Sequence, residues 1–162
     1  MRNNVTVRKA KQGDHDFIKE MFYDAIFIPE GVQKPPCSII YLPELLKYTV
    51  DWMKQTDIGF IAEMSGQKVG VIWTRLFDND NRGYGFVRDD MPELSMAVKD
   101  AYRNKGIGKA LLDHVFDELK RQGYDNVSLS VDQSNRAVNI YKKVGFIVFK
   151  AQSTDFVMVK HL

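Results

Sequence analysis

Residues 93–121 read ELSMAVKDAYRNKGIGKALLDHVFDELKR, an apolar run that passes through a basic, glycine-bearing turn into a long amphipathic pattern. Ile107, Leu111, Val115 and Leu119 recur at helical spacing, flanked by Gly108, Leu112 and Phe116, which is the stripe of a helix packed on a core. Its first turn is unusual. Free N–H groups and the helix dipole leave that end positive, which favours Asp or Glu there, yet Arg103, Lys105 and Lys109 occupy it. Positive charge added to a positive helix end makes an external anion the natural partner. Gly106 and Gly108 lack Cβ atoms, so a phosphate can come close to the backbone donors.

The rest of the chain arranges itself around this strand, turn and helix. Residues 5–8 alternate as a short strand, and Gly13-Asp14 opens a helix carrying Phe17, Ile18, Met21, Phe22 and Ala25 at helical spacing. Prolines 29, 35 and 36 with Gly31 make residues 28–42 a long loop, a length that is often functional. A second helix is expected from Pro43 to about Met53. Two β-rich runs, 57–64 and 68–77, flank Ser65-Gly66 as a hairpin, and residues 78–92 form a polar connection to the strand at 93–98. After the long helix closes on Lys120, Arg121 and Gly123, residues 127–131 alternate as a strand. Asp132-Gln133-Ser134 then starts a helix with Ala137, Ile140, Tyr141 and Val144 on one face, ending at Gly145. Residues 146–150 and 156–160 finish the chain as strands. The order β-α-α-β-β-β-α-β-α-β-β predicts an α/β (α+β) fold in a single domain over residues 1–162. A central mixed sheet with helices on both faces buries it most simply.

Composition narrows the function. The chain has 162 residues, 44% of them hydrophobic, enough for one substantial core. A net charge of +2 makes the basic cluster near residue 105 a local feature and argues against a general nucleic-acid partner. The one cysteine, Cys37, excludes an intrachain disulfide and points to a reducing compartment. The first 14 residues hold no apolar signal core, and no run approaches the ~20 apolar residues of a membrane span. These features lead us to expect a cytoplasmic protein without a membrane partner. His15, His114 and His161 are scattered singly, so no metal is expected.

Spacing separates the anion-binding patterns that the cradle can represent. A Walker loop requires G-x-x-x-x-G-K-[ST], but Ala110 follows Gly108-Lys109 and Asn104 stands where the first glycine belongs. The dinucleotide fingerprint G-x-G-x-x-G meets Leu111 at its third glycine and lacks the tight turn directly after the strand, leaving an NAD site a weak option. The third pattern, R-x-x-G-x-G at Arg103, Gly106 and Gly108, resembles the acyl-CoA motif of the GCN5-related N-acetyltransferases (GNAT). Asn135-Arg-Ala-Val-Asn-Ile-Tyr-Lys-Lys-Val-Gly-Phe146 resembles the same family's N-x-A-x-x-x-Y-x-x-x-G-F segment. Asp100 stands where the family often has proline.

The resemblance implies a GNAT-like fold, a mixed and mostly antiparallel sheet of about seven strands, and transfer of an acetyl group from acetyl-CoA, or another acyl-CoA, to an amine of a small molecule or peptide. It implies cofactor contacts from Met96, Val98, Arg103, Asn104, Lys105, Gly106, Gly108, Lys109 and Asn135, with the pantetheine arm along 96–98 between splayed strands. Tyr141 falls at the family's general-acid position, and a phenol is protonated at neutral pH. Glu93 begins the cofactor-bearing strand and is the expected base; the N–H of Met96 or Val98 is the implied oxyanion donor. Acceptor contacts are expected from Phe27, Glu30 and Tyr84, and a cationic amine fits the nearby Asp78, Asp80, Asp89 and Asp90. A homodimer is compatible with this reading. The competing function is a non-catalytic acyl-CoA-binding module or sensor on the same fold.

Overall fold

The computed structural model describes residues 4–162; residues 1–3, part of the stretch read for a leader, lie outside the described residues. Seven strands are present among the described residues: β1 (Val5–Lys9), β2 (Ile58–Met64), β3 (Gln67–Arg75), β4 (Glu93–Val98), β5 (Asn126–Asp132), β6 (Ile147–Ala151) and β7 (Asp155–His161). They form one sheet in the order β1-β2-β3-β4-β5-β7-β6. Every neighbouring pair is antiparallel except β4 and β5. The helices are α1 (His15–Ala25), α2 (Pro43–Leu46), α3 (Ile107–Arg121) and α4 (Ala137–Lys143). Fold class and element order match the expectation from the sequence.

Alternation along the strands divides the core between two faces. Ile61, Val71 and Trp73 pack with Phe17, Ile18, Met21 and Phe22 of α1. Phe60, Ile72 and Leu94 pack on the other face with Leu111, Val115 and Leu119, the α3 stripe. The β2–β3 hairpin turns through Ser65 (φ 51°) and Gly66 (φ 77°); two positive φ values give the turn the twist of its strands. No described helix is long and apolar enough to cross a membrane.

Two expected helices are shorter in the structure. The helix predicted over residues 43–53 lasts one turn, because the Arg75 guanidinium takes the Lys47 and Val50 carbonyls at 2.9 and 2.6 Å. Asp51 and Met53 then take positive φ. Arg75 also makes a bidentate pair with Asp57 (3.0 and 2.8 Å), almost wholly out of water. Helix α4 starts at Ala137, later than expected, since Asp132 accepts from Ser134 N and Oγ (2.8 and 2.6 Å) and holds an Asx turn. Its buried residues are Val138 and Tyr141, while Ile140 faces solvent.

The parallel junction positions the site. β4 and β5 share one register pair, Glu93 with Ser128, supported by Ser128 N–H donating to Pro92 O at 3.0 Å. Past that point the strands part. Lys99 N–H donates to Val69 O at 2.8 Å, toward β3. Strand N–H directions alternate, so the N–H groups of Val98 and Met96 point into the gap beside β5.

Candidate active site

The turn before α3 leaves its amides free. Tyr102 N–H and Arg103 N–H bond within the turn at Lys99–Asp100, and Ala110 N–H bonds Gly106 O at 3.1 Å. Between them, the N–H groups of residues 104–109 donate to no acceptor among the described residues. Asn104 (φ 61°) and Gly106 (φ 81°) take left-handed backbones, which turn successive amides to one side. Gly108 serves a different purpose: a Cβ there would meet only Met96, at an ordinary 3.5 Å. The chain's own packing therefore does not require glycine at 108, and the open space lies outside, where an anion would approach. Arg103 and Lys109 are exposed; among the described residues Arg103 pairs with Asp100 and Lys109 with Asp113, both at 2.9 Å, and Arg103 Nε also donates to Val98 O at 3.4 Å. Exposed pairs of this kind yield readily to a phosphate. The cradle fits the pyrophosphate of an acyl-CoA.

Glu93 sits where β4 and β5 begin to part, and it is 4% exposed. Its Oε2 accepts from Tyr48 Oη at 2.6 Å and its Oε1 from Gly85 N–H at 3.0 Å. Burial pushes its carboxyl up to about 7, against the pull of those two donors and of the Lys47 charge. The connection over 78–92 seals the carboxylate: a Cβ on Gly85 would lie 2.6 Å from the Leu129 backbone, so only glycine fits. Tyr48 was missed by the sequence reading, and spacing offers no signal for a partner 45 residues away.

Tyr141 lies buried in α4 with its ring edge-on to Phe146 at 5.6 Å, and burial pushes its phenol up to about 12. Its hydroxyl has no hydrogen-bond partner among the described residues. Asn135 Oδ1 accepts from Ala137 N–H at 2.9 Å, an ordinary helix-start bond that leaves the amide nitrogen available. No hydrogen bond joins Tyr141 or Asn135 to Glu93 among the described residues.

Of the residues expected to meet the acceptor, Tyr84 stacks on Tyr48 (6.4 Å, 8°) and stays exposed, which brings it beside the Glu93 cluster. Phe27 and Glu30 are exposed in the loop after α1, and among the described residues no hydrogen bond, ion pair or ring contact joins them to that cluster. That loop is pinned by the Tyr23 hydroxyl donating to Pro35 O and by Lys34 over the Tyr23 ring at 4.4 Å. In the 78–92 connection Asp78 accepts from Asp80 and Asn81 N–H and Asp90 pairs with Arg88, while the carboxylates of Asp80 and Asp89 have no partner among the described residues.

Comparison with known proteins agrees with this geometry. A family model described as an acetyltransferase (GNAT) domain matches residues 55–148, more than half of the chain. A stretch of 113 residues is 36% identical to an N-alpha-acetyltransferase of Sulfurisphaera tokodaii, covering 65% of this chain and 67% of that protein. Another of 106 residues is 31% identical to mycothiol acetyltransferase of Propionibacterium freudenreichii, covering 65% of this chain but only 31% of that one. The structure of the PaiA N-acetyltransferase of Thermoplasma acidophilum, in complex with coenzyme A, superposes with a TM-score of 0.73 at 22% identity. The match covers 98% of this chain and 99% of that one, which shows a shared fold.

Proposed function

This chain belongs to the acetyltransferase (GNAT) domain family, and from that premise we propose that it is an acetyl-CoA-dependent N-acetyltransferase acting on a primary amine of a small molecule or a peptide. The observation that carries the reading is the row of unpaired amides at 104–109, which leads along the open edge of β4 to a buried carboxylate. The reading takes residues 1–162 as one such domain. Residues 104–109, with Arg103, Lys105 and Lys109, would hold the pyrophosphate; Asn135 adds a contact through its free amide nitrogen. The N–H groups of Met96 and Val98 would bind the pantetheine arm and the carbonyl oxygen. Bound acetyl-CoA supplies the acetyl thioester, whose transfer to an amine releases a free thiol.

Glu93 accepts the proton that the incoming ammonium must lose, relayed by water because Tyr48, Gly83 and Gly85 cover the carboxylate. A carboxyl with a midpoint near neutrality is suited to that exchange. Tyr141 donates a hydrogen bond to the departing sulfur. Its phenol, at about 12, lies roughly 3.5 above an ordinary thiol at about 8.5, so complete transfer to a free thiolate would be uphill by about 5 kcal/mol. Tyr141 therefore acts while the bond breaks and keeps its proton afterwards; the thiolate takes the second proton that the attacking nitrogen sheds as it becomes the amide. Tyr84, Phe27 and Glu30 would line the approach of the amine. Thiol release from acetyl-CoA across a panel of small amines and peptides with free N-termini tests the proposal. Turnover with at least one class is expected; saturable binding without thiol release from any would point to the sensor instead.

A further inference from the structure

The Glu93 cluster contains one group that the reaction above does not use. Tyr48 is 5% exposed and its ring is fixed among Phe22 (5.3 Å), Phe77 (5.1 Å) and Tyr84 (6.4 Å), while its carbonyl accepts from Trp73 Nε1 at 3.0 Å. The hydroxyl therefore has a set position. It donates to Glu93 Oε2 at 2.6 Å and accepts Tyr84 N–H at 2.6 Å. One oxygen thus joins the strand that carries the carboxylate to the loop that carries an exposed aromatic at the acceptor side.

We propose that Tyr48 is a positioning residue for the transfer reaction: its hydroxyl orients Glu93 in the ionised form and holds the Tyr84–Gly85 backbone over it. The inference rests on the assignment of Glu93 as base. The direction of Tyr48's hydrogen bond decides its effect. A tyrosine at neutral pH carries a proton, and with Tyr84 N–H donating into the oxygen, that proton is directed at the carboxylate. A donated hydrogen bond favours the charged carboxylate over the neutral acid. Among the described residues the one other donor to Glu93 is the Gly85 N–H, which meets the other oxygen, Oε1, at 3.0 Å; no other side chain donates to the carboxylate. Arg75, its register partner on β3, is committed to Asp57 and two carbonyls. Lys47 donates to Arg82 O at 2.7 Å and acts on Glu93 only through its charge. From β5, the register partner is the uncharged Ser128. The loop contributes the Gly85 N–H, and Tyr84 reaches Glu93 only through Tyr48.

The test compares wild type, Tyr48→Phe, Glu93→Gln and a protein with 3-fluorotyrosine at position 48, a stronger donor of nearly the same size. The acidic limb of the kcat profile is measured on all four; on the three that keep Glu93, its ionisation without cosubstrate is followed by the carbon resonance of labelled glutamate, beside the acetyl-CoA KM and amide exchange at Tyr84. Tyr48→Phe should raise the Glu93 midpoint by about one pH unit and lower kcat about tenfold below it, with recovery at high pH. The acetyl-CoA KM should stay the same. The fluorinated side chain should move the midpoint down, and amide exchange at Tyr84 should quicken only in Tyr48→Phe. If Glu93→Gln removes the limb but neither Tyr48 variant moves it or the resonance midpoint, the positioning role is overturned while Glu93 stands as base. If the limb survives in Glu93→Gln, the assignment of the base fails first, and with it any role for Tyr48 through that carboxylate.

Discussion

A Cβ placed on Gly83 would fall 2.3 Å from Oε1 of Glu93, so the loop backbone rests directly on the carboxylate. The same atom would lie 2.8 Å from Tyr48 Oη and 2.9 Å from Phe77 Cε2. None of these neighbours is the loose end of a flexible side chain, since Tyr48 and Phe77 are buried and Glu93 is held by two donors. Gly83→Ala should therefore displace the loop and cost about 1–3 kcal/mol of stability. Turnover should fall at least tenfold with acetyl-CoA affinity unchanged, because the cradle lies on a different element. Calorimetric titration beside steady-state rates checks both; a parallel loss of cosubstrate affinity would mean that the loop also shapes the cradle.

The carboxylate that this loop covers also predicts a pH effect on stability. Glu93 titrates near 7 in the folded chain and near 4.5 when exposed, so the folded state holds its proton over that interval while the unfolded state releases it. The contribution to stability is complete below about pH 4.5 and is lost as pH rises through 7. Its size, from 4.5 to about 7, is about 3 kcal/mol. Glu93→Gln cannot lose a proton and should flatten this part of the curve, melting higher relative to wild type at pH 8 than at pH 5. Melting temperatures of both proteins at several pH values decide it. Activity should move the opposite way, with the variant losing the acidic limb of the rate profile.

The two glycines of the cradle should separate fold from binding. At Gly106, φ is +81°, where an alanine costs about 1 kcal/mol or more. Gly108 has no such requirement, and alanine in a first helical turn is as good or better for stability. Gly106→Ala should thus lower the melting temperature. Gly108→Ala should leave it unchanged or slightly raised, while weakening acetyl-CoA binding at least tenfold by filling the space beside the free amides. Binding isotherms with coenzyme A alone read this without any acceptor, and full affinity in Gly108→Ala would show that the anion sits elsewhere.

Local pattern made much of this architecture legible. The α3 stripe, the Ser65-Gly66 turn and the alternation of β5 each depend on neighbours within a few residues, and the structure has them where spacing placed them. What spacing could not reach were bonds between distant segments. The helix after Pro43 stops because Arg75, 28 and 25 residues away, captures the carbonyls of Lys47 and Val50. Tyr48 gains its importance from the same folded-back segment, which delivers its hydroxyl to Glu93 at the start of the central strand β4. Ile140 has the right period for the core but is exposed, since α4 buries only its Val138–Tyr141 side. The parting of β4 and β5 is likewise a property of the sheet, visible in one register pair and in neither strand alone.

Tyr141 offers the last separation, between a packing residue and a proton donor. Its ring fills the core beside Phe146, and its hydroxyl has no partner among the described residues. Phenylalanine would keep the ring and its packing, so the folded protein should be as stable as wild type to within about 1 kcal/mol. If the hydroxyl does nothing but sit in the core, turnover should be untouched. The proposed hydrogen bond to the departing sulfur instead predicts a fall in kcat of about 100-fold, within the range for a lost hydrogen-bond donor to developing negative charge, with acetyl-CoA affinity within twofold of wild type. Because the phenol titrates only near 12, the kcat profile should show no fall due to Tyr141 below pH 10. Rates of Tyr141→Phe measured with saturating acceptor from pH 6 to 10 give both quantities; wild-type turnover would remove Tyr141 from the mechanism and leave it as part of the core.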